Sequence, residues 1–325
     1  MERNELFNAN RYQVDVLWQD IEHTNKKQYF EFDESLYSRS SIESLNIAIE
    51  MDQRRLVVIT DPHIRAHEDY PVYRNGSYFE AESYGDPWMV SEEAKLASAT
   101  DQQDLTSIFV KTTSGQQFQG RCWPGQSVWF DFFNAHARAY WKHLMEPEIF
   151  KGTNYLYNFW IDMNEPSVFE QPHVTMPLAS VHLTTAGDVI LHRDVHNLYG
   201  SMMMKTAFEG LLERNFKLAA TVDGNGGLSG VLRPFLLTRS FFIGSQKFGA
   251  YWTGDNQDGF DELEGAISML LSAGISGMAF GGADVPGFYG NPSDHTYALG
   301  YQLGVFFPFY RAHSHEDSKT REPWL

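Results

Sequence analysis

Short apolar runs that end on an acidic or other polar side chain recur along this chain, with helix-patterned segments between them, and that alternation leaves few folds open. The runs are Val14 to Glu22, Leu56 to Asp61, Tyr155 to Glu165, Pro234 to Arg239, Phe248 to Asp255, Gly277 to Asp284 and Pro308 to His313. Residues 40–52, 132–143, 195–213 and 263–273 have the composition of the intervening helices. Strand, crossover helix and parallel strand is the repeating unit of a parallel sheet, so the expected class is α/β. Seven runs fall one short of the eight strands that close a barrel, and thirteen residues precede the first run. The expected architecture is therefore a partial (β/α)8 TIM barrel whose first strand is missing. An open barrel exposes an unpaired strand edge. On that ground the chain is expected to be a piece of a longer protein and poorly stable alone.

Composition narrows the class further. With 325 residues, 42% of them hydrophobic and 15% aromatic, the chain can bury a full core, which excludes intrinsic disorder and a disulfide-stapled mini-domain. The balance of 25 Lys+Arg against 42 Asp+Glu gives a net charge of -17, which repels nucleic acid and anionic membrane surfaces. The stretch Ile267 to Ala283 carries no charge, but it holds 17 residues and four glycines, short of the ~20 apolar residues of a membrane helix. No membrane insertion is expected. Met1 is followed by Glu2, Arg3, Asn4 and Glu5 without an apolar stretch, so no signal peptide is read here. The lone Cys122 excludes an internal disulfide and leaves the compartment open. One catalytic domain over residues 1–325 fits, with 66–111 as a loop insertion after the second strand run. That insertion holds Glu80, Glu82, Glu92, Glu93, Asp101 and Asp104 with no clear period. Its Asn75-Gly76-Ser77 matches an N-glycosylation sequon, a triplet common by chance.

Carboxylates collect where the runs stop: Asp20 and Glu22, Asp61, Asp162 and Glu165, Asp255, and Asp284. Capping of the following helix accounts for some of them. Gathering this many without counter-charge is costly, however, and strand ends are where chemistry sits in such folds. Trp18 with Asp20 and Trp160 with Asp162 are two residues apart and share a strand face. An aromatic plane beside carboxylates suits a sugar ring, which stacks its C–H face and bonds its hydroxyls; the alternative is a core tryptophan. Paired carboxylates at a barrel head point to glycoside hydrolysis. Metal chemistry is the competitor, through His313 with His315 and His63 with His67. Glu316 and Asp317 beside the first pair read equally as a surface loop, and Pro62 and Arg65 spoil a helical spacing for the second, so no metal is expected.

Trp160-Ile161-Asp162-Met163-Asn164-Glu165-Pro166 resembles the signature of glycoside hydrolase family 31. Further similar segments follow in order: LWQDIEH at 17–23, DPHI at 61–64, WPG at 123–125, RDVHNLYG at 193–200, RPFLLTRSFFIGSQKFGAYWTGDN at 233–256, GGADVPGF at 281–288 and PFYRAHSHEDSKTREPWL at 308–325. The resemblance implies a retaining α-glucosidase without a cofactor. It makes Asp162 the nucleophile, ionised at rest, and Asp255 the general acid/base, protonated at rest. Glu165 is the rival nucleophile that the resemblance passes over. Asp20, Arg239 and His313 would bond the hydroxyls of a terminal glucose, with Asp284 near them. Ile21, Trp123, Trp160, Met163, Trp252 and Phe288 would form its apolar wall. Ile59 and Asp61 would lie beneath, Asp61 as structural or sugar-binding. Within the family the DIEH, RDVHN and GSQ-FGA-WTGDN phrases are most similar to the branch that trims α-1,3-linked glucose from N-glycans in the endoplasmic reticulum lumen. That branch implies an oligosaccharide substrate and a non-catalytic β-subunit. A maltase-like α-1,4-glucosidase and an inactive sugar-binding fragment are the alternatives. The sequence departs from the family in the long 66–111 segment, an extra loop at 222–230, and the absence of the β-sandwich before the barrel and the β-domains after it.

Overall fold

A computed structural model of the chain describes residues 2–76, 108–184, 188–223 and 233–325, the side chains of 219–223 excepted. In chain order it places α1 (Glu2–Ala9), β1 (Val16–Gln19), α2 (Arg39–Met51), β2 (Arg55–Thr60), β3 (His63–Arg65), α3 (Pro71–Gly76), β4 (Gly120–Cys122), β5 (Gly125–Trp129) and α4 (Ala135–Leu144). There follow β6 (Tyr157–Ile161), β7 (Val181–Leu183), β8 (Val189–Leu191), α5 (His192–Asp223), β9 (Leu236–Thr238) and β10 (Ala250–Trp252). The chain continues through α6 (Phe260–Ile275), β11 (Gly281–Gly282), β12 (Asp284–Val285), α7 (Asp294–Gly304) and β13 (Arg311–Ala312).

All seven apolar runs form parallel strands. One six-stranded sheet has the order β1-β2-β6-β9-β10-β11, and β12 pairs with β13 to carry the curl onward. The registers Ile59↔Trp160, Trp160↔Leu237 and Trp252↔Gly282 set the strand ends side by side. Strands buried on both faces need continuous apolar runs, and β2 and β6 supply them: Leu56 to Ile59 and Phe159 to Ile161 are all buried. Among the described residues no ladder joins β13 to β1.

Helices cover the sheet for local reasons. Asn134 caps α4 by accepting from His136 and Ala137 N–H, and Trp141 from its inner face packs edge-on against Phe30, Phe130 and Phe132. Ser38 caps α2, whose Ile42 and Ile49 are buried. The helix expected at 195–213 is longer at both ends, because His192 already starts α5 directly after β8. Of the 66–111 segment, residues 77–107, including Ser77 of the sequon, lie outside the described residues, as do 224–230 of the 222–230 loop. Its described ends are not a solvated loop: Tyr70, Val72, Ile108, Phe109 and Val110 are buried, and Tyr70 Oη donates to the Tyr29 carbonyl at 2.6 Å.

Candidate active site

The C-terminal ends of the parallel strands converge on Arg239, two residues beyond Leu237 of β9. Its Nε and Nη2 donate to the two oxygens of Glu165 at 2.8 and 3.0 Å, a fork on a fork. Its Nη1 lies 3.0 Å from Asp162 Oδ1 and 3.9 Å from Asp255 Oδ2. The two aspartate oxygens that share this nitrogen are thus no more than about 7 Å apart, a bound that admits the ~5–5.5 Å of a retaining pair. Asp162 Oδ1 also accepts from Met163 N–H at 2.7 Å, while Oδ2 has no bond among the described residues. Met163 takes a left-handed φ of 54° directly after Asp162, and its sulfur accepts from Arg239 Nη2 at 3.1 Å. Asn164 ties this turn to β9, donating to Thr238 Oγ1 at 2.8 Å and accepting from Ser240 N–H at 2.9 Å.

Across from the carboxylates stands an aromatic wall. Trp160 meets Trp18 and Trp252 at centroid distances of 6.0 and 5.4 Å, and the His313 ring edge-on at 5.5 Å. Phe288 stacks on His313 at 5.3 Å. His313 Nε2 lies 3.4 Å from Asp20 Oδ2, and Asp20 Oδ1 accepts from Ile21 N–H at 2.7 Å, so Asp20 is at once a helix cap and a pocket group. Asn256 staples the loop that carries Asp255 to the next two segments: it donates to the Asp284 carbonyl at 3.1 Å, and its own carbonyl accepts from Phe288 N–H at 2.8 Å.

Burial dominates the electrostatics. Desolvation pushes the Asp162 carboxyl up to about 7, against the pull of Arg239, with Glu165 and Asp255 adding to the rise. The ionised form expected of Asp162 therefore predominates only above neutrality in the unliganded pocket. Asp20 is part-exposed in an open concavity, yet protein surrounds it closely enough that desolvation raises it to about 6. Asp284 is raised to about 6 by burial, opposed by Arg311. Desolvation holds His313 neutral, well below its usual value.

Asp20, Ile21, Trp160, Met163, Asp162, Arg239, Trp252, Asp255, Asp284, Phe288 and His313 are thus brought to one end of the sheet. Trp123 stands apart from the tryptophan cluster: it is 43% exposed, edge-on to Phe169 at 4.8 Å, with Lys27 4.8 Å over its ring. It belongs to the rim rather than to the wall. Glu22 is exposed and takes no part. Asp61 is fully buried, receives the Tyr29 hydroxyl, and is raised well above the carboxylate range by desolvation and by Asp162. The histidine pairs separate: His63 is buried beside Tyr29 while His67 faces solvent with Asp69. His315 packs on Tyr289, away from Asp20.

Sequence reasoning passed over Arg311. It is buried, donates to Asp284 Oδ1 through Nε at 2.9 Å and Nη2 at 2.6 Å, and sits 4.8 to 5.2 Å over the rings of Trp160, Trp18 and Trp252. Two-residue alternation with His313 was the signal that could have found it. Arg311 Nη1, Asp284 Oδ2 and the indole nitrogens of Trp18, Trp160 and Trp252 are buried without a protein partner among the described residues. Such groups are costly unless a polar ligand meets them.

The sequence profile described as "Glycosyl hydrolases family 31 TIM-barrel domain" matches residues 2–325. A relative from Oryza sativa subsp. japonica named "Probable glucan 1,3-alpha-glucosidase" is 39% identical over 319 residues, 98% of this chain and 30% of its own length. A Tris-bound crystal structure of glucosidase II alpha subunit superposes with a TM-score of 0.82 at 39% identity, covering 100% of this chain and 30% of that one. The crystal structure of an ER glucosidase II heterodimeric complex, of catalytic subunit and the binding domain of regulatory subunit, gives a TM-score of 0.81 at 39% identity, covering 99% and 30%. The chain thus spans about 30% of the length of these relatives. From the profile match and the clustered carboxylates together, the chain belongs to glycosyl hydrolase family 31, as its TIM-barrel domain.

Proposed function

We propose that this barrel is the catalytic domain of a retaining α-glucosidase that removes terminal α-1,3-linked glucose from N-glycan oligosaccharides in the endoplasmic reticulum lumen. The observation that carries the reading is the single guanidinium of Arg239 spanning Asp162, Glu165 and Asp255 opposite a wall of indoles. Glu165 has both oxygens occupied by Arg239, which leaves Asp162, with its free Oδ2, as the nucleophile.

In the first displacement Asp162 Oδ2 forms a bond to the anomeric carbon as the bond to the leaving oxygen breaks, and Asp255 gives that oxygen its proton. In the second, Asp255 takes a proton from water, the water oxygen bonds the anomeric carbon, and the ester to Asp162 breaks. Two inversions give net retention. Arg239 holds Asp162 in its attacking form and compensates the carboxylates around it. Asp20, Asp284 and His313 bond the glucose hydroxyls. Arg311 keeps Asp284 in place and offers Nη1 to the same ring. Trp160, Trp252, Met163, Phe288 and Ile21 supply the apolar face, and Trp123 with Phe169 borders the leaving group.

The α-1,3 preference is supported by the name of the rice relative, and the luminal setting and a non-catalytic partner subunit by the heterodimeric neighbour. No described helix is long and apolar enough to cross a membrane. The test is incubation with a slow-turnover fluorinated α-glucosyl fluoride, followed by peptide mass spectrometry and circular dichroism. One adduct on the Asp162 peptide is expected. A folded chain without an adduct would sink the assignment in favour of sugar binding without turnover. Faster hydrolysis of maltose than of nigerose would replace the α-1,3 preference with α-1,4.

A further inference from the structure

A line of hydrogen-bonded imidazoles runs from a buried carboxylate to the start of α5. His182 Nδ1 lies 2.8 Å from Asp131 Oδ1, His182 Nε2 lies 2.8 Å from His192 Nδ1, and His192 Nε2 lies 2.8 Å from His196 Nδ1. Asp131, His182 and His192 are buried, and His196 is part-buried. Asp131 further accepts from Leu183 N–H at 2.8 Å and Phe133 N–H at 3.1 Å. A carboxylate only accepts, so with neutral rings it fixes every proton in the line: His182 donates from Nδ1 and accepts at Nε2, His192 donates from Nδ1, and His196 likewise. Burial and the two flanking rings hold His192 neutral, down to about 3, so its ring joins its neighbours as one donor and one acceptor.

His192, His196 and Gly200 are spaced four apart and form one stripe of α5. At the far end of the stripe a Cβ on Gly200 would lie 2.8 Å from the Asn164 carbonyl and 2.6 Å from Ser240 Oγ. Ser201 Oγ lies 2.7 Å from Ser245 Oγ. The helix that the imidazoles tether is therefore pressed against the two segments that carry Glu165 and Arg239.

We propose that His182, His192 and His196, ordered by Asp131, are positioning residues for the reaction at Asp162: they fix the rotation and height of α5, and α5 fixes the Glu165–Arg239 clamp. Apolar packing would allow a helix to slip by fractions of an ångström, whereas a line with one donor order has one setting. The inference rests on the α-glucosidase reading.

The test joins two measurements. In the unmodified chain with 15N-labelled histidine, NMR should find His182, His192 and His196 as Nδ1–H tautomers; an Nε2–H form at His182 or His192 overturns the relay. Hydrolysis of 4-nitrophenyl α-glucoside by His196→Leu should show kcat lower by about tenfold or more with KM within about twofold, because Asp20, Asp284 and His313 are untouched and small displacements cost rate. His196→Asn keeps a donor near Nδ1 and should recover most of the loss. Equal kcat in the leucine and asparagine variants, or KM rising in step with the loss, refutes positioning. Should the leucine variant fail to fold by circular dichroism, the comparison of His196→Asn with His196→Gln, which moves the donor, decides instead. An unmodified chain without turnover counts against the α-glucosidase reading, and the imidazole nitrogens still decide the relay.

Discussion

At the scale of single residues, the proposed reaction ties its pH dependence to Arg239 and Asp162. A nucleophilic carboxylate raised to about 7 is half-protonated near neutrality, so kcat/KM should rise with pH through an acid limb near 7. An acid limb below pH 5 would refute that. Arg239→Met removes the charge that opposes the rise, which moves the limb to higher pH and lowers kcat by roughly 10²–10³-fold, the cost of losing a preorganised charge. A pH–rate profile of the two proteins reads both effects, and an unmoved limb would show that Arg239 does not govern Asp162. Asp162→Ala should abolish turnover; more than a few per cent residual activity contradicts the nucleophile role. Asp255→Ala should slow substrates with poor leaving groups far more than activated ones, and equal losses would remove its acid role. Strand parity made Asp162 legible as a strand-end carboxylate on the face of Trp160, while its role as nucleophile was read only from the family resemblance. The orientation of Glu165 was not, since nothing local says that both of its oxygens turn to Arg239.

At the scale of elements, alternation of apolar runs and helical segments was enough to place all seven parallel strands, because the central ones, β2 and β6 above all, are buried on both faces and so read as continuous apolar runs. Short antiparallel elements escaped: β3, β4 and β5 are three to five residues long, and β4 is exposed at its centre, so no run marks them. The ends of the 66–111 segment were misread for a related reason. Aromatic residues such as Tyr70 and Phe109 enter the core singly, without a period that sequence can show. Close approach of α5 to the Asn164 turn is likewise invisible until Gly200 is seen against it. Gly200→Ala should force the backbone apart there and destabilise the fold by about 1–3 kcal/mol. Urea melts give the stability change, and turnover should fall with it. A variant as stable and as active as the parent would mean that α5 and the turn move freely of one another.

For the molecule as a whole, no ladder among the described residues joins β13 to β1, yet side chains bridge them: Trp18 lies 6.0 Å from Phe309 and 5.2 Å from Arg311. The Trp324 ring meets Phe7 at 4.8 Å, and Tyr12 Oη donates to the Pro323 carbonyl at 2.7 Å, so α1 clasps the C-terminal segment. These contacts oppose the instability expected of an open sheet. A second whole-molecule balance lies in the buried charges. Asp162 and Glu31 are raised to about 7, and Asp61 is raised well above the carboxylate range, chiefly by desolvation, so near neutral pH the folded chain holds protons that the unfolded chain has released. Stability from such groups is lost as pH climbs through their folded values. The buried His23 and His63, lowered to about 4 and 3, act oppositely, as do His192 and His313, since stability from them rises with pH until the unfolded histidines, half-protonated at about 6.5, are neutral about a unit higher. Above about pH 7.5 the unfolded histidines are nearly all neutral, and the carboxylates govern the remaining change. The melting temperature should therefore be lower at pH 8.5 than at pH 7.5 at one ionic strength, and a saturating glucose analogue that bonds Asp162 and its neighbours should narrow the gap. Calorimetry at the two pH values tests this directly: an equal or higher melting temperature at pH 8.5 would mean that the carboxylates around Asp162 are already ionised in the folded chain.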